Sequence, residues 1–431
     1  MAEIRPFRAL RFTDKAGEIS KNVCPPYDII SEEERLGYLH ESENNIIRLE
    51  LPRGEEPYRK AAEDLRVMLS SGVLRCDAED GIYIYEEEFT AYGKRHKIKG
   101  IYTLVRLAEF SEGVVLPHEE TLSKAKTDRF NLMSETYCNF SAIYSMYSDA
   151  ERKVTSIIGK LSERKPDIEF TASDGVVQRL WCIYNKEEIS AIRAAFADKK
   201  LYIADGHHRY ETALAFRKKM LADGDIKSED DLGNFVMMML VDMENDGLVV
   251  FPTHRLVRDL KSYDREAVKK GLAKYFDVTP VEKSGIEKAL DEGKDGKVYV
   301  WCAGNGEYFS VALRDKESAE KRLGELFADK SSAYRNLDVT VLHSLILEEI
   351  FGIDRENMAN QINLTYTRSI DEATDGVDSG KFDCAFIINP TKVSEIRDVA
   401  AAGDKMPQKS TYFYPKLITG LVMNKIKDIQ Y

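Results

Sequence analysis

The sequence predicts a mixed α/β fold, and three observations support this prediction. Apolar segments of strand length alternate with segments of helical periodicity across residues 111–260. Residues 81–90 with 95–107, and residues 298–313, alternate in polarity around glycine-containing turns, which is typical of β-hairpins. Of the 431 residues, 43% are hydrophobic and 32% are charged, as in ordinary globular proteins with a sizeable core.

Residues 1–110 are predicted to form an N-terminal α+β region. The alternating segment 4–12 is extended, and the adjacent prolines within 23–30 exclude regular structure there. Ser31 is followed by three glutamates, which is the pattern of a helix N-cap, and residues 57–71 have the periodicity of a second helix. The first hairpin completes this region.

Residues 111–260 are predicted to form the core of the fold. Helices are expected over 151–164 and 186–197, between two polar motifs, and strands over 234–242 and 248–251. This alternation of strands and helices favours one mixed sheet.

Residues 261–330 are predicted to form an inserted α+β subdomain, and residues 331–431 to return to the core. The insertion has helices over 265–275 and 317–327 on either side of the second hairpin. The C-terminal region is predicted to contain a helix, a strand, a second helix and a polar segment, in that order, over 339–351, 384–388, 393–401 and 406–416.

Charge and hydropathy limit the partners of this chain. The formal net charge of −12 disfavours nucleic acid, because binding phosphate backbones requires a basic face, whereas a small anionic substrate fits better. The longest apolar runs fall far short of the roughly 20 residues of a membrane span, and the N-terminus lacks the apolar segment of a signal peptide. The sequence therefore predicts a cytoplasmic protein without nucleic-acid or membrane partners.

The six cysteines predict reduced and mostly buried thiols. They are scattered singly, and neither a C-x-x-C pair nor a Cys/His cluster with zinc spacing occurs. No cysteine has a nearby histidine in the sequence that would favour a nucleophile.

The motif Asp205-Gly206-His207-His208-Arg209, called here the 205–209 motif, carries the strongest chemical signal. It follows an apolar strand over 201–204 and precedes a helix predicted over 209–219, with Gly206 permitting a tight turn. The N–H groups at a helix start, with two histidines and an arginine beside them, favour an anion such as phosphate.

Two alternatives for this motif remain open. In the first, the motif is a solvated helix start that Asp205 caps. In the second, Asp205, His207 and His208 bind a metal ion, although adjacent side chains rarely converge on one ion without a distant ligand. The interpretation preferred here is a phosphate site without a metal bound directly by the protein.

A second polar motif follows the apolar residues 114–116. His118 and Glu119 are candidate bases for deprotonating a hydroxyl, while Lys126 and Arg129 could neutralise phosphate charge. A charged helix start with an exposed Asp128–Arg129 pair is an equally favoured alternative.

Two further segments carry weaker signals. Thr253, His254 and Arg255 follow an apolar strand and are candidates for substrate binding. Residues 405–416 contain the side chains Lys409, Ser410, Thr411 and Lys416, which suit phosphate oxygens. Each segment alone is more often structural. No P-loop, G-x-G-x-x-G turn or G-x-S-x-G elbow occurs, so the common nucleotide-binding and hydrolase assignments are excluded.

Together these segments resemble the prokaryotic family catalogued as domain of unknown function 1015, over nearly the whole chain. The resemblance implies a connection with serine metabolism. The residues that carry it are Arg5-Pro6-Phe7-Arg8, Cys24-Pro25-Pro26-Tyr27-Asp28, Pro117-His118-Glu119 through Asp128-Arg129, Ala204 through Tyr210, Pro252-Thr253-His254-Arg255 and Met406 through Pro415.

A more remote resemblance carries a mechanism. The pairing of Pro117-His118-Glu119 with the later 205–209 motif is similar to the ParB/sulfiredoxin superfamily, which includes the free serine kinases. The resemblance implies a ParB/sulfiredoxin-like core, Glu119 as the base for a serine hydroxyl, and Asp205 as an assistant to the hydroxyl or to Mg²⁺. It also implies that Gly206, His207, His208 and Arg209 hold nucleotide phosphates. The segment between the two motifs is longer here than in the small kinases.

The predicted function is transfer of a nucleotide phosphoryl group to a small hydroxylated amino acid, most specifically free L-serine. The donor would be ATP or ADP, and Mg²⁺ would arrive with the nucleotide. Two alternatives share the site: a phosphoserine phosphatase, and a non-catalytic regulator that binds a nucleotide or a phosphometabolite. A homodimer is compatible with the sequence.

Overall fold

A computed structural model describes residues 1–121, 123–294 and 296–427, and it confirms the predicted mixed α/β fold. Its strands are β1 Ile4–Arg5, β2 Leu10–Phe12, β3 Leu74–Cys76, β4 Ile82–Ala91, β5 Lys94–Arg106, β6 Val115–Leu116, β7 Cys138–Asn139, β8 Ile143–Tyr147, β9 Ile168–Thr171, β10 Val177–Ile183, β11 Leu201–Asp205, β12 Phe235–Asp242, β13 Val249–Val250, β14 His254–Val257, β15 Phe276–Val281, β16 Val298–Gly304, β17 Glu307–Leu313, β18 Leu364–Thr367, β19 Cys384–Ile388, β20 Phe413–Tyr414 and β21 Asn424–Lys425.

Each predicted helix begins within two residues of its predicted start, but α2, α9, α11, α13 and α14 have no predicted counterpart. They are α1 Glu32–Glu41, α2 Ile47–Glu50, α3 Pro57–Ser71, α4 Ser123–Thr136, α5 Lys153–Leu161, α6 Lys186–Phe196, α7 His207–Ala222, α8 Arg265–Leu272, α9 Ile286–Glu292, α10 Lys316–Leu326, α11 Ser332–Arg335, α12 Asp338–Val341, α13 Arg355–Asn360, α14 Ile370–Asp378 and α15 Val393–Ala401. The predicted cap of α1 is present: the Ser31 hydroxyl accepts from the Glu34 N–H, and the Glu34 carboxylate accepts from the Ser31 N–H.

The chain divides into two compact units, whose boundaries differ from the four predicted ranges. The first unit comprises Met1–Pro117, Thr121–Val249 and Pro415–Tyr431, and the second comprises His118–Glu120 and Val250–Tyr414. Strands predicted for the N-terminal region share a sheet with strands predicted for the core, and the predicted insertion shares a sheet with the C-terminal region. Segments that are distant in the sequence therefore pair in one sheet, although the local sequence pattern assigns them to separate domains.

The first unit is built on a nine-stranded mixed sheet. Its order is β6-β11-β8-β12-β5-β4-β10-β9, and β1 pairs with β5. The predicted hairpin β4–β5 turns at Tyr92 (φ 50°) and Gly93 (φ 69°), which is the backbone that a tight two-residue hairpin requires. All eight residues of β12 are buried, as expected for a central strand covered on both faces.

Strand β11 positions the 205–209 motif. It pairs in parallel with β6 and antiparallel with β8, and its register shifts between Ile203 and Asp205. The strand ends at Asp205, and α7 begins at His207, two residues before the predicted start. Both histidines therefore belong to the first turn of the helix.

The second unit contains a six-stranded sheet with the order β15-β17-β16-β19-β14-β18. Its antiparallel hairpin β16–β17 turns at Gly304, Asn305 and Gly306, which all have positive φ, as the glycines in the sequence predict. The predicted helix 339–351 is only partly α-helical. A π-helix over Leu342–Glu348 continues α12, and the Glu349 N–H donates to the Ser344 carbonyl five residues earlier.

Five of the six cysteines are buried, as predicted: Cys24, Cys138, Cys182, Cys302 and Cys384. In the ranges that the structure covers, no helix combines the length and the apolar character that crossing a bilayer requires.

A buried carboxyl group in the first unit gives stability a pH dependence. Glu87 is fully buried, and burial raises the pKa of its carboxyl to about 8. The Tyr85 hydroxyl lies 2.9 Å from Glu87 Oε1 and also contacts Gln178 Oε1. Because one hydroxyl proton cannot serve two acceptors, we infer that protonated Glu87 donates to Tyr85 and Tyr85 donates to Gln178.

We expect the Glu87→Gln variant to gain stability relative to the native chain as pH rises from about 5 to 8. The pKa of Glu87 is raised from 4.5 to about 8 on folding, so its contribution is complete below pH 4.5 and is lost as pH rises through 8. The loss approaches about 1.4 kcal/mol per pH unit in that window. Urea unfolding at pH 5, 6.5 and 8 measures this loss of stability, and Glu79→Gln, a substitution at an exposed site, is the control. Parallel stability profiles against pH for the two variants would contradict the raised pKa of Glu87.

Candidate functional site

The carboxylate of Asp205 is held between two cations in the first unit. Arg209 Nη2 donates to Asp205 Oδ2 at 2.6 Å, and Lys416 Nζ forms an ion pair with Asp205 Oδ1. Burial alone would raise the pKa of Asp205, but attraction to Lys416 and Arg209 outweighs it and holds this pKa well below its usual range. Two positive groups are thereby fixed around one ionised carboxylate.

Gly206 brings Arg209 close to the backbone. Its φ of 96° lies in the left-handed region that favours glycine, and it directly precedes α7. A Cβ atom at this position would lie 2.9 Å from Arg209 Nε and 3.0 Å from Arg209 Cζ. The glycine therefore permits both the turn from strand to helix and the position of the guanidinium.

We expect Gly206→Ala to lower stability by about 1–2 kcal/mol, because alanine disfavours this φ. If the 205–209 motif binds phosphate, as the sequence predicts, the variant should also bind a phosphate ligand about tenfold more weakly, because the new methyl group displaces the Arg209 guanidinium from a charge-assisted contact. Thermal unfolding and calorimetric titration with ADP measure the two effects.

Gly224→Ala is the matched control, since Gly224 also has positive φ (74°), but a Cβ atom there would meet no described atom within 4 Å. It should lose stability and retain affinity. Equal affinities for the two variants would show that the methyl group does not disturb the site.

The two histidines of the 205–209 motif have different surroundings. His207 is 4% exposed, and its charge would stabilise the Asp205 carboxylate. His208 is only partly buried, and its pKa is lowered by burial and by the cations Lys126 and Arg209, against the attraction of Asp28 and Glu211. A neutral His208 is therefore favoured at neutral pH, so it is suited to donate or accept one hydrogen bond.

Arg129 is buried in a second ion-pair network of the same unit. Its guanidinium lies 3.3 Å from Glu50 Oε1 and 2.5 Å from Asp128 Oδ2, and it lies over the ring of Tyr27 at 4.0 Å. Burial raises the pKa of Tyr27 to about 12, and both Arg129 and Arg209 act against that rise.

Arg129 and Arg209 also line a common cavity of about 30 Å³ with Glu50, which has room for water but not for a metabolite. The sequence alternative of an exposed Asp128–Arg129 pair is therefore wrong for Arg129, which is 5% exposed.

Lys126 is a further cation near His208 of the 205–209 motif. Its Nζ lies 2.7 Å from Glu211 Oε2, and the Thr121 hydroxyl donates to the same oxygen at 2.7 Å. Glu211 belongs to α7, one turn after His207, so this ion pair connects α4 to the helix that begins with the 205–209 motif.

The second unit contains the other predicted polar segments. The Met406 N–H donates to the His118 carbonyl at 2.7 Å, and Glu119 forms a parallel bridge with Met406. The ring Nε2 of His118 lies 3.1 Å from Thr411 Oγ1, although the histidine is only 1% exposed. Two predicted segments, 118–119 and 406–411, thus lie side by side.

Lys409 and Ser410 differ in access within this segment. Lys409 is exposed and has a φ of 57°, while Ser410 is buried and its hydroxyl donates to the Pro407 carbonyl at 2.5 Å. Lys409 and Thr411 are therefore better placed to meet a ligand than Ser410.

The substrate-binding candidates on and before β14 are buried. Thr253, His254 and Arg255 are 7%, 1% and 0% exposed. Burial and neighbouring Arg255 lower the pKa of His254 to about 3, and its Nδ1 accepts from the Ile388 N–H at 3.3 Å. Burial favours a structural role over direct substrate contact for these three residues.

The site residues do not fit a protein-bound metal at Asp205. Both oxygens of this carboxylate already face cations, which repel a metal ion. Among the residues described, no three His, Cys, Asp or Glu side chains are grouped for metal ligation.

The family of this chain follows from a match to a family model. The model is described as "Protein of unknown function (DUF1015)", and it matches residues 4–340, well over half of the sequence. The chain belongs to the DUF1015 family. The family resemblance is thereby confirmed, and five of its six segments lie within the matched residues, while Met406 through Pro415 lies outside them.

Solved structures show low similarity to this DUF1015 member. A free serine kinase mutant in complex with AMP has 12% identity and a TM-score of 0.35, over 72% of this chain and 87% of that chain. A conserved hypothetical protein from Pyrococcus furiosus has 14% identity and a TM-score of 0.34, over 75% and 95%. C-terminally truncated SbnI from Staphylococcus aureus has 10% identity and a TM-score of 0.36, over 77% and 90%.

A comparison with curated proteins gives no match. Identities and TM-scores this low do not transfer a role from these solved structures to the DUF1015 chain.

Several site residues of this DUF1015 member escape the sequence prediction of the site. Glu50, Tyr27 and Glu211 each contact a predicted cation, and Lys416, noted only as suited to phosphate, proves to pair with Asp205. Tyr27 lies in the Pro-Pro-Tyr-Asp segment that carries the family resemblance, which was the available signal. Glu50 has no such signal, because its environment depends on contacts 79 residues away.

Proposed function

We propose that this chain is a phosphotransferase whose 205–209 motif binds the phosphates of ATP or ADP. The observation that carries the proposal is the pair of cations, Arg209 and Lys416, held on Asp205 beside the start of α7. The guanidinium fork and the helix N–H groups are both suited to phosphate oxygens. Lys126 adds a third positive charge in the same unit.

The proposed acceptor is the hydroxyl of a small amino acid, specifically free L-serine. In the reaction, a carboxylate accepts the hydroxyl proton, the serine oxygen forms a bond to the transferred phosphorus, and the bond from phosphorus to the nucleotide oxygen breaks. Glu119 is proposed as that carboxylate. Its role rests on the Pro117-His118-Glu119 motif, which resembles the corresponding segment of the free serine kinases.

Asp205 is proposed to position the cations, rather than to bind Mg²⁺ or the hydroxyl. Its two oxygens accept from Lys416 and Arg209, so it fixes both side chains before a ligand arrives. A Mg²⁺ ion would be held by nucleotide phosphates and water, as is usual for this ion.

Purified protein with Mg²⁺, L-serine and either ATP or ADP tests the proposal. Serine-dependent formation of ADP from ATP, or of AMP from ADP, together with O-phosphoserine, supports the kinase. Phosphate release from O-phosphoserine without nucleotide would replace it with the phosphatase. Nucleotide binding without any turnover would replace it with a binding regulator.

A further inference from the structure

The second unit contains a cavity beside the proposed base, because its lining residues include Glu120 and also Met406, which pairs with Glu119. Its volume is about 410 Å³, which lies within the range of small-molecule sites. Aromatic and sulfur-containing side chains, Phe327, Tyr334, Tyr366, Met358 and Met406, form much of its wall. None of the residues that line it belongs to the 205–209 motif.

Some of the polar side chains that line the cavity are buried. The Thr340 hydroxyl is 1% exposed and has no hydrogen-bond partner within the described ranges. His343 and Ser344 line the cavity from the π-helix that follows α12, a backbone form that often occurs at functional sites. A buried hydroxyl without a partner costs free energy, and a ligand atom would satisfy it.

A buried positive charge contacts His343, one of these lining residues. Arg255 is fully buried, and its Nε donates to His343 Nε2 at 3.2 Å, while its guanidinium lies 5.5 Å from the centre of the Tyr366 ring. Its other contacts are the carbonyl groups of Thr253 and Lys409. No carboxylate of the described chain forms an ion pair with it, so its field attracts an anion into the cavity.

Charged side chains of both signs line the cavity. Lys405, Arg355, Glu348 and Glu356 all line it, and no ion pair within 4.0 Å joins these four side chains to any described residue. Glu348 and Lys405 are partly buried, so their charges are less screened than those at the exposed mouth. A ligand with charges of both signs would satisfy both sets of groups.

We infer that this cavity is a binding site for a small zwitterion, namely an amino acid or its phosphorylated form. The anionic group of the ligand binds toward Thr340 and the cations Lys405 and Arg355, and its ammonium group binds toward Glu348. The apolar wall packs against the carbon skeleton. The site lies within the second unit and does not rest on the proposed phosphotransfer.

Calorimetric titration of the full chain without nucleotide tests the inference. The zwitterionic probes are L-serine, L-glutamate and O-phospho-L-serine, and L-lactate and ethanolamine each carry only one of the charges. We expect at least one zwitterion to bind with a Kd below about 1 mM, and both single-charge probes to bind at least about tenfold more weakly. Equal binding of lactate or ethanolamine, or no binding of any zwitterion, would overturn the assignment.

Variants locate the binding. Lys405→Met and Glu348→Gln should each weaken zwitterion binding by about tenfold, since each removes one charge-assisted contact. Lys288→Met is the matched control, because Lys288 is exposed on α9 and does not line the cavity. Ala359 is exposed and lines the cavity, so Ala359→Trp adds a large ring there and should block binding even where the charge variants are unstable.

Arg209→Ala separates this inference from the proposed function. Zwitterion binding should survive this substitution even if nucleotide binding is lost. Binding that is lost with Arg209→Ala and retained with Lys405→Met, Glu348→Gln and Ala359→Trp would assign the zwitterion to the 205–209 motif and refute the cavity site.

Discussion

Replacing Arg209 with alanine is expected to weaken ADP or ATP binding by about 100-fold. The substitution removes a guanidinium suited to two phosphate oxygens, and each charge-assisted hydrogen bond contributes about 1.5–3 kcal/mol. It also removes one of the two cations paired with Asp205 and leaves the Lys416 pair, so more of the carboxylate charge would oppose the phosphates. Calorimetric titration with ADP measures the change, and L-serine affinity should change much less.

Two further variants show whether the effect of Arg209→Ala comes from loss of the guanidinium. Arg209→Lys keeps the charge but not the planar fork, so it should lose about tenfold. Lys218→Ala is the control on the same helix, because Lys218 is 68% exposed and pairs with Glu109 on the surface. If Arg209→Ala weakens amino-acid and nucleotide binding equally, the residue supports the fold and does not hold phosphate.

The strand and helix around this arginine were predictable because their signals are local. A short apolar run, a glycine and a helical period predict β11, the turn at Gly206 and α7 without knowledge of distant residues. The hairpin turns and the Ser31 cap were predictable for the same reason. α7 begins two residues before the predicted start, because histidines have no strong preference that distinguishes a turn from a first helical residue.

The partners of the site residues were not predictable to the same extent. Lys416 and Asp205 are 211 positions apart, and Arg129 and Glu50 are 79 positions apart. Only the folded chain brings such groups together, and one sequence carries no record of their contact. The burial of His254 and Arg255 was not predictable from the sequence either, because a short strand with polar residues has the same local pattern at a sheet edge and in a sheet interior.

The π-helix over Leu342–Glu348 is a third feature that the sequence does not predict. A π-helical segment keeps nearly the same apolar spacing as an α-helix over two turns, so periodicity predicts a helix but not its type.

Replacing Glu119 with glutamine is expected to lower kcat of the proposed kinase by about 10²–10⁴-fold. Glutamine keeps the size of the side chain but cannot accept the hydroxyl proton, and general-base catalysis contributes a factor of this size. Affinity for ADP should change less than threefold, because the proposed base does not hold the nucleotide. Single-turnover formation of O-phosphoserine separates the loss of chemistry from any change in binding.

The pH dependence of the reaction distinguishes a base from a structural carboxylate at position 119. If Glu119 is the base, the native enzyme loses activity below the pKa of this carboxyl, and the residual activity of Glu119→Gln lacks that limb. Glu287→Gln, a substitution at an exposed position in the second unit, should keep both the rate and the loss of activity at acidic pH. A glutamine variant that retains full turnover would remove Glu119 from the mechanism, while leaving the phosphate-binding assignment of Arg209 to be decided by its own titration.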